Sequence, residues 1–227
     1  DSGRVYHLGE LGRLSALHSQ TGDEIWSLEL REVFDAEIPE YGYSESVLIE
    51  GERLYCCPAG KEAYIVCLNK NTGELIWKNN EIPGNVGFGS LISFDMEGSH
   101  MLAGLISDPI FSDGRIFASS GYGIGIILLD IRSSGEHFQV APVWQTDLLD
   151  NHHGGVILHH GFLYGAGHNS RGWFCIDINT GMPLWKSGGK GSITNADGML
   201  YCLDERGIIS LVRATPREYA ASGSFRV

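Results

Sequence analysis

Three segments of the chain close in the same way: LSALHSQTGDEIW at Trp26, IVCLNKNTGELIW at Trp77 and FCIDINTGMPLW at Trp185. A weaker copy, ILLDIRSSGEHFQVAPVW, ends at Trp144 and carries an insertion. Between them a second pattern recurs, a turn leading into a short apolar run: DSGRVYHLG at 1, EGERLYCCP at 50, SDGRIFASS at 112, HHGFLYGAG at 159 and ADGMLYCLD at 196. Such self-similarity limits the fold more than local propensity does, because each repeat is a unit whose apolar face must be covered by its neighbour.

Each unit is β in character, with runs rich in Val, Ile, Leu, Tyr and Trp separated by Gly, Asp, Asn and Ser. The Thr-Gly pairs at 21–22, 72–73 and 180–181 suit hairpins in which glycine takes a positive φ. His18, Asn69 and Asp177 sit three residues before the threonine, where a polar side chain can bond back to the turn. A tryptophan at one place per repeat is expected to pack on the next repeat, burying about 150–250 Å². One more strand precedes each turn, in YGYSESVLIE, LISDPIFSD, HHGGVILHH and KGSITNAD.

Four sequential strands per unit predict an all-β chain, a β-propeller of four-stranded antiparallel blades. A β-sandwich would not need a repeated Trp after a repeated Thr-Gly. The repeats amount to about five blades, at 1–31, 41–80, 103–148, 153–187 and 188–227, with a partial one at 84–97, in a single domain spanning 1–227. No Thr-Gly-Trp segment lies between GFGSLISFDMEG and LAGLISDP, and the chain starts inside a unit, so an incomplete ring is expected. Helix is nearly absent by period.

A net charge of −12 and the lack of any basic run disfavour nucleic acid and anionic membranes as partners, because nothing would neutralise their phosphates. No apolar stretch is long enough to span a bilayer as a helix. The 31 glycines, with only 7 prolines, suit many tight turns. The 5 cysteines lack C-x-x-C spacing. Four of them fall on two recurrent strand positions: Cys56 matches Cys202, and Cys67 matches Cys175 and Ala16. They are expected to act as small buried hydrophobes. Cys57 is expected on the opposite face of its strand from Cys56.

The Asp/Asn-x-x-Thr-Gly…Trp pattern resembles the repeat of the pyrroloquinoline quinone (PQQ)-type propellers, the superfamily of quinoprotein alcohol dehydrogenases and BamB-like proteins. CCPAGKEAYIVCLNKNTGELIW, NHHGGVILHHGFLYG and KGSITNADGMLYCLDERGIISLVRATP are similar to the C-terminal part of bacterial PQQ-binding-like β-propeller repeat proteins. The resemblance implies a non-catalytic binding or scaffold protein of the bacterial envelope, without cofactor, holding a protein or carbohydrate partner at the propeller face. It implies a periplasmic or secreted location, with a lipid anchor on an upstream N-terminus as one form. The alternative it implies is a PQQ- and calcium-dependent alcohol or sugar dehydrogenase, whose calcium needs hard oxygen donors at the channel mouth.

In a propeller the innermost strands line a channel, and the segments leading into them gather at its mouth. Tyr43, Ser44, Phe88, Asp108, His152, His153, Lys190 and Ser192 are therefore the candidate ligand-binding residues. Aromatic faces with a few convergent polar groups are how pockets are built. His152-His153 is the sharpest feature, but neighbours on a strand point to opposite faces, so a shared metal is not expected. Asp108 is a single carboxylate, where a glycosidase needs two. Gly121–Gly125 lacks the following helix of a dinucleotide loop. Arg171-Gly172-Trp173 offers either a stacking cation or a lock between blades.

Overall fold

The glycine turns leave each repeat only a few residues to reverse direction, so consecutive strands pair antiparallel. The structure, a computed structural model, describes residues 3–81, 89–104, 109–121, 123–134, 137–151 and 154–227. It opens with β1 (Arg4–Leu8), β2 (Arg13–His18) and β3 (Glu24–Glu29), then a one-turn helix α1 (Leu30–Phe34). There follow β4 (Leu48–Glu50), β5 (Arg53–Cys56), β6 (Ile65–Asn69) and β7 (Leu75–Asn79), then β8 (Ile92–Met96) and β9 (Ser99–Ala103). Next come β10 (Ile110–Ser112), β11 (Arg115–Ser120), β12 (Gly125–Ser134) and β13 (His137–Thr146). The remaining strands are β14 (Val156–His159), β15 (Phe162–Gly167), β16 (Gly172–Asp177), β17 (Pro183–Gly188), β18 (Gly191–Ala196), β19 (Met199–Asp204), β20 (Ile208–Arg213) and β21 (Ala221–Arg226).

Neighbours in sequence are neighbours in space throughout. Among the described residues, β1–β3 form a three-stranded sheet and β8–β9 a two-stranded one, while β4–β7, β10–β13, β14–β17 and β18–β21 are four-stranded. These antiparallel sheets are β-propeller blades of the Trp-ended type. The chain divides into two compact units, Asp1–Pro109 and Ile110–Val227.

In the first unit, Leu8 and Leu14 of one blade and Leu54, Val66 and Leu68 of the next form a single core, closed by Leu30 and Phe34 of α1. The other face of β5–β6 buries Tyr55, Cys67 and Leu91 in a second core. The second unit repeats the arrangement. Phe117, Leu128, Leu163 and Phe174 fill the space between β10–β13 and β14–β17, and Tyr164, Trp173, Leu200 and Cys202 fill that between β14–β17 and β18–β21. Each fully buried leucine contributes about 1.5–3 kcal/mol. Trp173 is thus a lock between blades.

The recurrent small residue lies between two rings. Tyr6 lies beside Ala16, and Ala16 beside Trp26; the same rows run Tyr55–Cys67–Trp77 and Tyr164–Cys175–Trp185. Over that small residue the outer rings meet, with centroids 6.4, 6.0 and 5.9 Å apart. In the fourth row Leu128 takes the middle place, and Phe117 and Trp144 lie 6.5 Å apart.

Three of these indoles then reach into the following blade. The Nε1–H of Trp26 donates to the Lys70 carbonyl at 2.9 Å, that of Trp144 to Ile178 at 2.8 Å and that of Trp185 to Thr215 at 2.8 Å. The accepting turns are held as their polar residues predict. Asn69 Oδ1 accepts from the Asn71 amide at 2.8 Å, and Asp177 Oδ1 from the Asn179 amide at 2.8 Å.

The β8–β9 hairpin is tied to β4 by a charge bridge. His100 places Nδ1 2.8 Å from Asp95 Oδ1 and Nε2 2.8 Å from Glu50 Oε2. A neutral imidazole has one N–H, so only the protonated ring donates to both carboxylates. The bonds to Asp95 and then Glu50 raise its pKa above the usual 6.5. A raised folded pKa means the contribution is fully present below 6.5 and is lost as pH rises through the folded value. Amide-exchange protection of β8–β9, corrected for intrinsic rates, is expected to fall over that window, and His100→Gln to abolish the dependence. Protection that ignores pH in the native protein would contradict this role.

Candidate functional site

The segments leading into the innermost strands meet their neighbours within each unit. In the first, the Ser46 amide donates to Ser90 Oγ at 2.9 Å. In the second, the Ile193 amide donates to the Gly154 carbonyl at 3.3 Å, and a Cβ at Gly154 would lie 2.4 Å from Ser192 Cα. Phe88, Asp108, His152 and His153 lie outside the described residues, as does Tyr122 of the glycine-rich segment.

The other candidates divide between core and surface. Tyr43 is only 5% exposed; its hydroxyl donates to the Pro58 carbonyl at 2.9 Å, and burial pushes its pKa up to about 12. It holds the chain between α1 and β4. Ser44 and Ser192 are exposed. Lys190 pairs with Glu205 at 3.0 Å and lies 3.2 Å from His168 Nδ1. Next to His168, the Asn169 amide donates to the buried Asp150 carboxylate at 3.0 and 3.1 Å. These groups order the inner ends of two blades.

Glu45, which the sequence reading passed over, is the most distinctive group of the first unit. It is 7% exposed, and its Oε1 accepts from the Cys57 amide at 2.7 Å. Burial pushes its pKa up to about 7, against the lowering effect of that hydrogen bond. It lines an open cleft of about 410 Å³, bounded by β1 on one side and by Glu45, Ser46, Val47 and Ile49 on the other. Tyr6, in the β1 wall, has a buried hydroxyl with no partner among the described residues. A carboxyl that changes protonation near neutral pH can donate to, or accept from, an amide or hydroxyl. That chemistry suits a peptide or a sugar. The signal in the sequence was alternation: with Ser44 outward, the next residue points inward.

The paired cysteines serve different cores. Cys56 packs in the core between the first two blades, and Cys57 against the one on the other face of its sheet. The pair is therefore not displayed together over a cofactor ring. Asn151 Nδ2 donates to the Gly155 carbonyl at 2.6 Å, and among the described residues no group of three or more His, Cys, Asp or Glu side chains converges for a metal. Burial raises the thiol pKa values, to about 11 at Cys175 and about 12 at Cys202, and upward at Cys56, Cys57 and Cys67. Since the thiolate is the reactive form, an aromatic disulfide reagent is expected to modify none of the 5 cysteines rapidly in native protein at neutral pH. All should react after denaturation. Fast native-state labelling of Cys57 would contradict its placement.

A sequence profile for the family described as outer membrane protein assembly factor BamB matches residues 1–105 and, as a second copy, residues 91–187. The chain belongs to this BamB family. Among solved structures, BamB from Moraxella catarrhalis is similar at 16% identity and TM-score 0.48, covering 98% of this chain and 58% of that one. A computationally designed protein, Ika8, follows at 9% and 0.45, covering 99% and 84%. A europium-containing methanol dehydrogenase stands at 11% and 0.45, covering 99% and 49%. This BamB-family chain thus spans 58% of the length of the Moraxella protein. No curated protein matches it.

Proposed function

We propose that this BamB-family chain, as a single propeller domain over residues 1–227, is a non-catalytic scaffold of the bacterial envelope. It acts on the periplasmic side in the assembly of outer membrane proteins, and a lipid anchor upstream of Asp1 would keep it at the membrane. The observation that carries the reading is the BamB profile, which matches twice across residues 1–187. The site chemistry agrees with it. Glu45 lines the cleft and can exchange hydrogen bonds with an uncharged chain, while Lys190 and Asp150 are engaged in holding the blades.

The partner is a protein segment in extended form, held at the cleft of the first unit beside Glu45. A labelled peptide from a strand of an outer membrane barrel is expected to bind the purified chain and to lose affinity in Glu45→Arg. In parallel, adding the quinone and calcium is expected to leave absorbance and melting temperature unchanged. Alcohol-dependent dye reduction in the presence of both would overturn the scaffold reading in favour of a quinoprotein dehydrogenase.

A further inference from the structure

We propose that the two-stranded sheet β8–β9 is the docking site for a β-hairpin of a partner protein, which adds to the free edge of β9 and seats Trp77 on its turn glycine. The site shares no residue with the cleft at Glu45 and does not depend on the reading given to that cleft.

The gap lies inside the chain. Residues 104–109 alone separate β9, which ends at Ala103, from β10, which starts at Ile110. Two further strands of about 5–6 residues each do not fit in that interval. Among the described residues β9 pairs only with β8. Glu97 and Gly98, both at positive φ, make the two-residue turn that pairs Met96 with Ser99. Counting from that pair along an antiparallel ladder, Ser99, Met101 and Ala103 turn their backbone groups to β8, and His100 and Leu102 turn theirs to the free edge. In the blade β4–β7 the same places are held by Leu54 and Cys56, which pair with Leu68 and Val66 of the next strand.

The side chains show the same gap. Val66 and Leu68 lie in the core that covers Tyr6 and Trp26 of the preceding blade. Over Tyr55 and Cys67 the β8–β9 segment brings Leu91 and Leu102, with no counterpart of Val66 or Leu68 among the described residues. Trp77 is 38% exposed, whereas Trp26, Trp144 and Trp185 are half-buried.

The contacts between complete blades specify the occupant. The indole N–H reaches a carbonyl of the next blade's turn, as Trp26 does at Lys70 and Trp144 at Ile178. The ring lies on the turn glycine, so a Cβ at Gly73 would sit 2.8 Å from Trp26 Cε3 and one at Gly181 2.7 Å from Trp144 Cδ2. An arginine bonds the side-chain amide two residues before that glycine: Arg4 to Asn71 Oδ1 at 2.5 Å, and Arg115 to Asn179 Oδ1 at 3.2 Å. Arg53 holds the place of these arginines in the blade β4–β7 and is exposed. The fitting partner therefore has apolar residues at alternate positions of one strand, followed by a turn with Asn or Asp two residues before a glycine. Backbone pairing along the edge supplies affinity, and the turn supplies specificity.

The probe is a labelled synthetic peptide copying residues 172–188 with Cys175→Ala, in which Phe174, Ile176, Asn179 and Gly181 hold the required places. Fluorescence anisotropy is expected to show saturable binding to the 227-residue chain. At saturation and constant pH, amide exchange at His100 and Leu102 should slow about tenfold or more. Trp77→Ala in the protein should raise the dissociation constant about tenfold, as loss of an aromatic anchor does, with far-UV circular dichroism and melting temperature checking its fold. Peptide N-methylated at Phe174 and Ile176 keeps the side chains but loses the donors that face β9, and should not bind. Absence of saturable binding overturns the proposal. So does binding that survives both Trp77→Ala and N-methylation. Exchange at His100 and Leu102 that slows with protein concentration alone would give the edge to a second copy of the chain and overturns it as well.

Discussion

Gly181→Ala is expected to destabilise the second unit by about 2–4 kcal/mol, whereas Gly22→Ala at the equivalent place should cost the monomer only about 1 kcal/mol. Both glycines have positive φ, 70° at Gly181 and 78° at Gly22, so both alanines carry the left-handed penalty. Only at Gly181 does the methyl meet a ring, with Trp144 Cδ2 and Cε3 at 2.7 and 2.8 Å. That ring is fixed by its bond to the Ile178 carbonyl and by Phe117 behind it, so it cannot withdraw without losing contacts. Trp144→Ala by itself should cost about 3 kcal/mol, the low end for a large aromatic because the ring is half-buried. In the double variant the Gly181→Ala penalty should shrink to that of Gly22→Ala. Urea unfolding of the four proteins closes this cycle. Equal costs at Gly22 and Gly181, or a Gly181 penalty that persists without Trp144, would show that backbone strain alone makes these turns glycine.

Glu45→Gln is expected to stabilise the protein by about 3 kcal/mol at pH 8 and hardly at all near pH 4.5. The sign follows from the direction in which the carboxyl moves. Burial raises it from 4.5 to about 7 in the folded chain, so between these values the folded state binds the proton that the unfolded state has released. Stability of the native protein therefore falls as pH rises through that window, by about 1.4 kcal/mol for each pH unit crossed. Glutamine keeps an oxygen for the Cys57 amide and cannot ionise. Unfolding free energies measured from pH 4.5 to pH 8 should converge for the two proteins at the acid end and separate above neutrality. A constant offset, or a native protein more stable at pH 8, would place the Glu45 carboxylate in contact with water or with a cation.

The site was less legible than the fold, for reasons visible at particular residues. YGYSESVLIE reads as a polar rim, and alternation assigns each residue a face without assigning a depth. Tyr43 is buried because α1 and Pro58 close over it, and Glu45 because Cys57, 12 positions later, turns its amide toward it. The helix α1 is too short to show a period, having only Leu30 and Phe34 to bury. The bridge from His100 to Glu50 joins residues 50 positions apart on different sheets, a pairing no local pattern marks. The vicinal cysteines went the other way. Comparing repeats assigned Cys56 a small-residue strand position, and the structure gives the two thiols separate cores.

What the sequence determined alone was the repeating unit: the four-stranded meander, the glycine turn, and the tyrosine, small residue and tryptophan that recur at set spacings. Those follow from short-range constraints, turn geometry and the two-residue period of a strand, and the tyrosine, small residue and tryptophan recur in full in the copies that end at Trp26, Trp77 and Trp185. What only the tertiary structure decided is which copies are satisfied. Trp26 and Trp77 sit in nearly the same sequence, yet one indole is seated on a neighbour's glycine and the other is open to solvent. Gly22 and Gly73 differ in the same sense. Whether a motif is covered depends on what the rest of the chain brings against it, and that is a property of the packed molecule.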